Sequence, residues 1–457
     1  MKLSDGPVHF IGVGGAGMSA IAKVLLERGV AVSGSDLKRS RAFSSLEAMG
    51  ADICVGHDAA LVEGARVVVV SSAIPPTNPE LARARALGIE VMPRGRALAE
   101  LLSPGRAIVV AGTHGKTTTT SMIVSILHRA GLDPTYLVGA GLNEVGTNAR
   151  WGQSTLTVAE SDESDGSFLM LSPHIGVITN VDADHLDYWL SFGAIREAFE
   201  AWLTNIDPEG AAVLPVSETH LGARARAAGR RVVTFGDGGD VRAAYVECRI
   251  DGSSFLWVGR GGEAEVKLRV PGVHNVFNAL AAGAAAAEAG IDLAGIAAGL
   301  SAYRGVERRL QVRGTARGVT FIDDYAHHPT EVAAVLSALE PGGWRRVVAV
   351  FQPHLYSRTA ALSDAFGDAF TNADHIVVTD VYGAREQPVP GITGKLVADA
   401  ACTSLPGRRV AYLPRRDELL EYLHVRLQPG DALLTLGAGD ISSLGEELLE
   451  RMAGSPP

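Results

Sequence analysis

A lysine and a threonine stand at the end of a glycine-rich stretch, Gly112-Thr113-His114-Gly115-Lys116-Thr117-Thr118. A β-branched apolar run at 107–110 predicts a buried strand before it, and apolar spacing at 119–129 predicts a helix after it. This order is typical of a loop that holds phosphates on backbone N–H groups and a helix N-terminus. Lys116 would reach the terminal phosphates, and the Thr117 hydroxyl would bind Mg²⁺. Val110 stands where the ordinary motif has another glycine, and a chance surface turn is the alternative.

Four carboxylates follow the next predicted strand, at 156–158, in the stretch Glu160-Ser161-Asp162-Glu163-Ser164-Asp165. A solvated loop would explain them, but Glu160 lies at the carboxyl end of the strand, where a metal ligand beside a phosphate loop belongs. We predict that Glu160 binds Mg²⁺ and leave the other three open. His185 lies among three aspartates after a strand predicted at 175–178. Because Mg²⁺ prefers oxygen ligands, His185 by itself is equally consistent with a surface turn.

A second glycine-rich stretch, Gly12-Val13-Gly14-Gly15-Ala16-Gly17, follows a strand predicted at 8–11. It matches the dinucleotide-binding fingerprint, and Asp36 ends the next predicted strand, where such folds place an acid for a ribose. The loop 71–75 follows a strand predicted at 67–70. NAD binding is the obvious interpretation, but the same geometry binds any nucleotide diphosphate, and a purely structural turn is the alternative.

The last part of the chain alternates predicted strands and helices. Its strands are predicted at 320–322, 347–351, 375–379, 410–413 and 432–436. Three of them run into polar clusters, at 323–331, 352–359 and 380–386. Because the carboxyl ends of parallel strands meet at one edge of a sheet, these clusters indicate a ligand site. We assign Gly437-Ala438-Gly439-Asp440 to tight strand-to-helix packing.

The 457 residues suggest three domains, which we place at 1–104, 105–310 and 311–457. Short runs at 231–235, 245–249, 254–258 and 265–270 predict antiparallel strands in the second. The predicted fold class is α/β, with a Rossmann-like N-terminal domain, a central P-loop ATPase-like domain with an antiparallel portion, and a Rossmann-like C-terminal domain. Residues 102–105 are the expected linker, and the tail 453–457 is expected to be disordered.

Composition narrows the class of protein. Hydrophobic residues make up 47% and charged residues 20%, which is typical of a globular protein. A net charge of -10 argues against nucleic-acid binding. Cys54, Cys248 and Cys402 are scattered without metal-ligand spacing, as in a reducing compartment. With no signal-peptide pattern and no apolar run of ~18 residues, we expect a cytoplasmic protein without membrane insertion. The sequence does not indicate an oligomeric state.

Five stretches resemble the Mur ligase family, whose members use ATP to join an amino acid to a cell-wall nucleotide precursor. They are the loop 112–118, the segments 180–187 and 272–278, the pair Arg308-Arg309 and the block 323–329. The resemblance covers nearly the whole chain. It implies a two-step reaction in which an acyl phosphate forms from ATP and the amino acid's amine then attacks it. It also implies two Mg²⁺ ions, with Thr117, Glu160 and His185 as metal ligands.

The resemblance also assigns roles residue by residue. The implied catalytic residues are Lys116, His185, Arg308 and His327. The implied ATP contacts are Gly112, Thr113, His114, Gly115, Lys116, Thr117, Thr118, Asn275, Asn278, Arg309 and Asp324. Helix capping remains the alternative for Asn275 and Asn278, and a solvated face for the arginine pair.

The blocks at 12–19, 323–329 and 351–354 point to the family member that adds L-alanine to UDP-N-acetylmuramate. The first block then implies a UDP-sugar site, with contacts at Gly14, Gly15, Ala16, Gly17, Met18, Asp36, His57, Ser71 and Ser72. The implied amino-acid contacts are Tyr325, His327 and Arg358. A related ligase that recycles murein peptides shares the first block and stays open. An NAD-linked dehydrogenase with an ATPase module and a silent nucleotide-binding regulator are the alternatives from other classes.

Two departures from the family pattern bear on the site. Several members have a carboxylated lysine beside the second metal, but no lysine occurs between Thr117 and Val266. Glu200 lies near the corresponding distance and is a candidate replacement. Some alanine-adding members have an arginine where Leu355 stands, so Arg358 is expected to carry more of the contact with the substrate carboxylate.

Overall fold

The computed structural model describes residues 3–102, 105–144, 146–384 and 386–454. Ser103 and Pro104 of the predicted linker, Arg385 of the third polar cluster and the tail from Ser455 onward lie outside these residues. In the described part, no helix is both long and apolar enough to cross a bilayer.

The N-terminal unit is a five-stranded parallel sheet in the order β3-β2-β1-β4-β5. Its strands are β1 Val8–Ile11, β2 Val32–Asp36, β3 Asp52–Val55, β4 Val67–Val70 and β5 Glu90–Pro93. Its helices are α1 Ala16–Glu27, α2 Arg41–Ala48, α3 Pro79–Ala86 and α4 Arg94–Leu102. The strand order reverses between β1 and β4, which makes a crevice at the carboxyl ends, where open α/β sheets bind ligands. The Rossmann-like prediction is confirmed.

The central unit contains a seven-stranded sheet in the order β12-β11-β10-β6-β9-β7-β8. Its strands are β6 Arg106–Ala111, β7 Thr135–Leu137, β8 Ala149–Arg150, β9 Leu156–Glu160, β10 Ile175–Ile178, β11 Ala211–Pro215 and β12 Arg231–Phe235. Its helices are α5 Lys116–Arg129, α6 Leu186–Trp189, α7 Phe192–Thr204 and α8 Thr219–Ala227. The predicted antiparallel pairing of 231–235 is wrong, because β12 pairs in parallel with β11 through the crossover helix α8.

The predicted antiparallel portion forms one three-stranded sheet next to this unit. Its strands are β13 Arg242–Arg249, β14 Gly252–Gly259 and β15 Gly262–Leu268, and two helices follow, α9 Val273–Glu288 and α10 Leu293–Ala302. Trp257 on β14 is buried against the alanine-rich helix α9, where a Cβ on Gly283 would collide with the indole. Small residues on α9 therefore let sheet and helix pack closely.

The C-terminal unit has a six-stranded sheet in the order β16-β17-β21-β18-β19-β20, parallel except for β16. Its strands are β16 Gln311–Ala316, β17 Val319–Asp324, β18 Arg346–Phe351, β19 His375–Val378, β20 Arg409–Tyr412 and β21 Asp431–Leu436. Its helices are α11 Pro329–Leu339, α12 Tyr356–Leu362, α13 Phe366–Ala369, α14 Lys395–Ser404, α15 Arg416–Arg426 and α16 Ile441–Gly454. The five predicted strands are confirmed, and β16 is an antiparallel addition.

Candidate functional site

The phosphate loop joins β6 to α5 in the predicted strand–turn–helix arrangement. Gly112 and Gly115 adopt positive φ angles of 123° and 78°, which favour glycine. The segment after β10 binds the backbone of this loop. The His114 N–H donates to Asn180 Oδ1 at 2.9 Å, and the Thr179 hydroxyl donates to the His114 carbonyl at 2.6 Å. Helix α5 therefore starts with its free N–H groups at the turn.

Glu160 ends β9 directly beside this turn, as predicted. The Thr117 hydroxyl donates to both Glu160 carboxylate oxygens at 2.9 Å, and the Gly139 N–H donates to Oε2 at 2.7 Å. A hydroxyl and a carboxylate placed together in this way form the start of an oxygen ligand set that suits Mg²⁺.

Lys116 is bound to the acidic segment that follows β9. Its ammonium donates to the carbonyls of Gly112 and Thr113, at 2.7 and 3.0 Å, and to Glu163 Oε2 at 2.7 Å. Burial alone would lower the pKa of Lys116, but the nearby charges of Glu163 and Asp162 raise it above its ordinary value. Lys116 is therefore charged at any physiological pH.

His185, Asp162 and Glu163 form one cluster whose ligand atoms all lie within 4.8 Å of one another. His185 Nε2 lies 3.6 Å from Glu163 Oε1, a buried oxygen for which the described residues supply no hydrogen bond. Burial, followed by the charge of Asp162, raises the pKa of Glu163 to about 7, although Lys116 opposes the shift. An orphaned carboxylate oxygen next to an imidazole fits a bound cation.

A cavity of about 840 Å³ connects these groups with the other two units. Gly14 and Gly17 line it from the N-terminal unit, Lys116 from the central unit, and His327 and Arg358 from the C-terminal unit. Residues from all three units, far apart in the sequence, therefore line one space.

The C-terminal wall of the cavity is built around Tyr325. The guanidinium carbons of Arg308 and Arg309 lie 4.9 and 5.4 Å from its ring centre, and the His327 ring packs edge-on at 5.4 Å. Burial, offset in part by the charge of Glu331, lowers the pKa of His327 to about 3, so this imidazole is neutral. A neutral imidazole keeps one ring nitrogen free to accept a hydrogen bond.

Glu331, one turn into α11, connects His327 to the phosphate loop. Its carboxylate accepts a hydrogen bond from the backbone N–H of His327 at 3.1 Å and lies 3.2 Å from His114 Nδ1. The other His114 nitrogen lies 3.1 Å from Asp182, and the Thr330 hydroxyl donates to Asp182 at 2.7 Å. The phosphate loop and the C-terminal unit are thereby in direct contact.

Arg358 is not a free guanidinium. It donates to both oxygens of Asp184, from Nε at 2.9 Å and from Nη2 at 3.1 Å, while Nη1 lies 3.1 Å from His354. Both side chains of the pair are about 5% exposed. Burial would raise the pKa of Asp184, but Arg358 holds it well below its usual range. The bidentate contact joins the central and C-terminal units.

Two predicted contacts, Asp324 and Arg308, are hydrogen-bonded to other groups of the protein. Asp324 accepts the N–H groups of Leu310 and Ala326, both at 2.7 Å, and burial raises its pKa to about 6. Arg308 donates to Asp323 at 3.2 Å and to the Gly437 carbonyl at 2.7 Å while still lining the cavity. A Cβ at Gly437 would lie 2.9 Å from the Gln352 carbonyl oxygen, which fits the packing role predicted for this turn, while Ala438 lines the cavity.

In the N-terminal unit, Asp36 accepts the Gly14 N–H at 2.8 Å and so holds the glycine-rich loop rather than presenting a free carboxylate. His57 lies 2.7 Å from the buried Glu80. Ser72 donates to Asp165 at 3.0 Å, and Ser71 accepts the N–H of Ala73. These contacts engage three side chains that the resemblance assigned to the nucleotide, and one ring nitrogen of a fourth, His57.

Three further predicted contact residues, Met18, Asn275 and Asn278, are not among those that line the cavity. Met18 is buried in the N-terminal core and does not line the cavity. Asn275 donates to the Pro271 carbonyl at 2.7 Å, which is a local helix-start contact. Asn278 packs directly under the phosphate loop, where its side-chain oxygen blocks any Cβ at Gly115.

The idea that Glu200 replaces a carboxylated lysine is wrong in this structure. Glu200 on α7 binds two residues of α8, His220 at 2.7 Å and Arg224 at 3.1 Å, and it does not line the cavity. The carboxylate beside His185 is Glu163, from the acidic segment after β9.

Sequence reasoning assigned no role to three acids that lie at or beside the site: Asp184, Glu331 and Glu80. Asp184 precedes the candidate His185, and Glu331 lies in a polar cluster, so each stood in a noted stretch. Glu80 follows Asn78-Pro79 at an ordinary helix start, and its sequence context gave no signal. Their roles come from partners that are distant in the chain.

Comparison with known proteins identifies the family. Family models match residues 7–106 ("Mur ligase family, catalytic domain"), 110–286 ("Mur ligase middle domain") and 308–439 ("Mur ligase, glutamate ligase domain"). A UDP-N-acetylmuramate–L-alanine ligase from Rubrobacter xylanophilus is 49% identical over 97% of this chain and 100% of its own length.

Solved structures agree. The crystal structure of a UDP-N-acetylmuramate–alanine ligase from Thermotoga maritima superposes with a TM-score of 0.81 at 30% identity, covering 97% of this chain and 98% of the other. A murein peptide ligase from Psychrobacter arcticus shares the fold, with a TM-score of 0.73 at 24% identity, covering 99% of both chains. The chain belongs to the Mur ligase family.

Proposed function

We propose that this protein is an ATP-dependent ligase of peptidoglycan synthesis that joins L-alanine to the carboxylate of UDP-N-acetylmuramate. The observation that carries the proposal is the single cavity shared by the glycine-rich loop at Gly14, the phosphate loop at Lys116 and the C-terminal loop at His327. A ligation of three substrates needs their sites to meet in one space. The relatives named for this reaction support the choice of substrates.

In this proposal each unit binds one substrate. Residues 1–104 bind UDP-N-acetylmuramate, 105–310 bind ATP and 311–457 bind L-alanine. Thr117 with Glu160 would hold one Mg²⁺, and His185 with Asp162 and Glu163 a second, because these oxygens and the imidazole surround the phosphate loop. When bound, the ions would neutralise phosphate charge during transfer.

The proposed reaction has two steps. An oxygen of the muramyl carboxylate attacks the γ-phosphorus of ATP, the bond to the bridging oxygen breaks, and ADP leaves. Lys116 stabilises the charge that develops on the transferred group. The amine of L-alanine then attacks the acyl carbon, phosphate leaves, and the amine loses a proton. His327 lines the cavity and donates from Nδ1 to the Tyr325 carbonyl at 2.9 Å, so Nε2 can accept a hydrogen bond that orients the amine, and the leaving phosphate takes the proton.

Contacts between the central and C-terminal units keep the acyl phosphate away from water. Arg358 with Asp184, and Glu331 with His114, join the two units at the cavity wall. The intermediate would hydrolyse if bulk water reached it, so a closed arrangement serves the second step.

A phosphate-release assay tests the proposal. Phosphate release should require ATP, UDP-N-acetylmuramate and L-alanine together, and a murein tripeptide in place of L-alanine should not support it. Faster release with the tripeptide would favour the recycling ligase. Tight binding of NADH to the full chain, followed by absorbance, would favour the dehydrogenase.

A further inference from the structure

A buried carboxylate lies under the nucleotide crevice of the N-terminal unit. Glu80 has no exposed surface, and three side chains from separate elements bind it. His9 on β1 lies 2.6 Å from Oε2, the Ser35 hydroxyl on β2 donates to Oε2 at 2.9 Å, and His57 after β3 lies 2.7 Å from Oε1. Three hydrogen-bond partners around one buried carboxylate form a polar network, and such a network holds its members in one arrangement.

The hydrogen-bond balance determines where the protons lie. Burial would raise the pKa of Glu80, but hydrogen bonds from His9, Ser35 and His57 hold it below its ordinary value. An ionised carboxylate only accepts, so the His57 nitrogen facing it, Nδ1, must carry a proton. Ser35 has already donated its single hydrogen, and its oxygen, 3.0 Å away, can share the same Nδ1 proton. Nε2 is the ring nitrogen that Glu80 does not engage.

His57 follows β3 at the carboxyl edge of the sheet and is not itself among the residues that line the cavity. It follows Gly56, whose N–H donates to the Asp36 carbonyl at 2.8 Å, and the Asp36 side chain in turn holds the Gly14 N–H. Ser35 is part of the same arrangement, because its carbonyl accepts the N–H groups of Gly12 and Val13. The carboxylate thus connects the histidine to the loop that faces the cavity.

We propose that Glu80 is a positioning residue for the nucleotide: it orients His57 with the proton on Nδ1 and presents Nε2 to the uracil or ribose. This inference rests on the proposed function, since it takes the crevice as the UDP-sugar site. When a histidine binds a ligand through one ring nitrogen, a carboxylate bound to the other commonly fixes its tautomer and its orientation.

Nitrogen NMR of the full chain with ¹⁵N-labelled histidine tests the tautomer directly. The His57 signals, assigned by their loss in His57→Gln, should show a protonated Nδ1. A proton on Nε2 alone would overturn the proposal. The tautomer is read from the wild-type protein, so the result does not depend on whether a Glu80 variant folds.

A double-mutant cycle tests the consequence. Glu80→Gln keeps the shape but replaces one acceptor with a donor, so it should weaken UDP-N-acetylmuramate binding by calorimetry roughly ten- to a hundred-fold. The KM for ATP should change less than about two-fold. In a His57→Gln background the same substitution should change binding by less than about two-fold, because its effect passes through His57. An equal loss in both backgrounds would show a merely structural role.

Asn78→Ala is the matched control. Asn78 caps α3 by accepting the N–H groups of Glu80 and Leu81, at 2.9 and 3.1 Å, but does not touch His57. It should lower the melting temperature and leave UDP-N-acetylmuramate affinity unchanged. If it weakened that affinity as much as Glu80→Gln does, helix placement and not His57 would explain the effect. Failure of the proposed function itself would appear separately, as no phosphate release by the wild-type enzyme.

Discussion

Replacing Arg358 with lysine should raise the KM for L-alanine strongly. L-Alanine offers one carboxylate as its main handle. Nε and Nη2 of Arg358 donate to Asp184 and Nη1 faces His354, which leaves one N–H on each terminal nitrogen to bind that carboxylate. Lysine keeps the charge but cannot bridge Asp184 and also face His354, as Nη1 now does at 3.1 Å. Losing one hydrogen bond to a charged group costs about 1.5–3 kcal/mol, or roughly ten- to a hundred-fold in KM.

Steady-state kinetics with each substrate varied in turn measures this effect. The KM values for ATP and UDP-N-acetylmuramate should stay within a few-fold in Arg358→Lys. Asp184→Asn separates binding from structure, because it leaves the arginine but removes its buried counter-charge. Stranding a charge that is about 5% exposed should cost about 3–5 kcal/mol and lower the melting temperature.

The matched control is the exposed pair Lys395–Asp399, whose side chains are 61% and 59% exposed. Asp399→Asn should change neither the melting temperature nor any KM, because exposed ion pairs contribute little. An unchanged KM for L-alanine in Arg358→Lys, together with a lower melting temperature, would show that Arg358 serves only the contact with Asp184. The proposed amino-acid role would then be refuted.

Three further predictions follow from the phosphate loop. Lys116→Ala should abolish ligation yet leave UDP-N-acetylmuramate affinity within about two-fold by calorimetry, since the two sites lie on different units. Glu160→Gln should raise the Mg²⁺ concentration needed for half-maximal phosphate release, and an unchanged requirement would remove Glu160 from the metal site. The carboxylates of Asp182 and Glu331 outweigh burial and raise the pKa of His114 to about 9. This stabilisation is complete below pH 6.5 and fades as pH rises through about 9, so the wild-type melting temperature should fall more between pH 7 and 9.5 than that of His114→Gln.

Local patterns were enough to predict most of the fold. The strands at 8–11, 67–70 and 175–178 have the predicted bounds, because a buried parallel strand is a short apolar run that ends at a turn. The strand at 231–235 was assigned the wrong direction, since a short apolar run has the same period in either kind of sheet. Only its partner, β11, determined that it is parallel.

The sequence by itself determined which groups could do chemistry: Lys116, Glu160 and His185 follow strands, and the carboxyl ends of parallel strands share an edge. Only the tertiary structure decided which acids contact the candidate site residues. Glu163 and not Glu200 lies beside His185, Asp184 binds Arg358, and Glu80 lies against His57. A pairwise contact between charged groups depends on their distance in space, and residues tens to more than a hundred positions apart meet only when sheets and units pack.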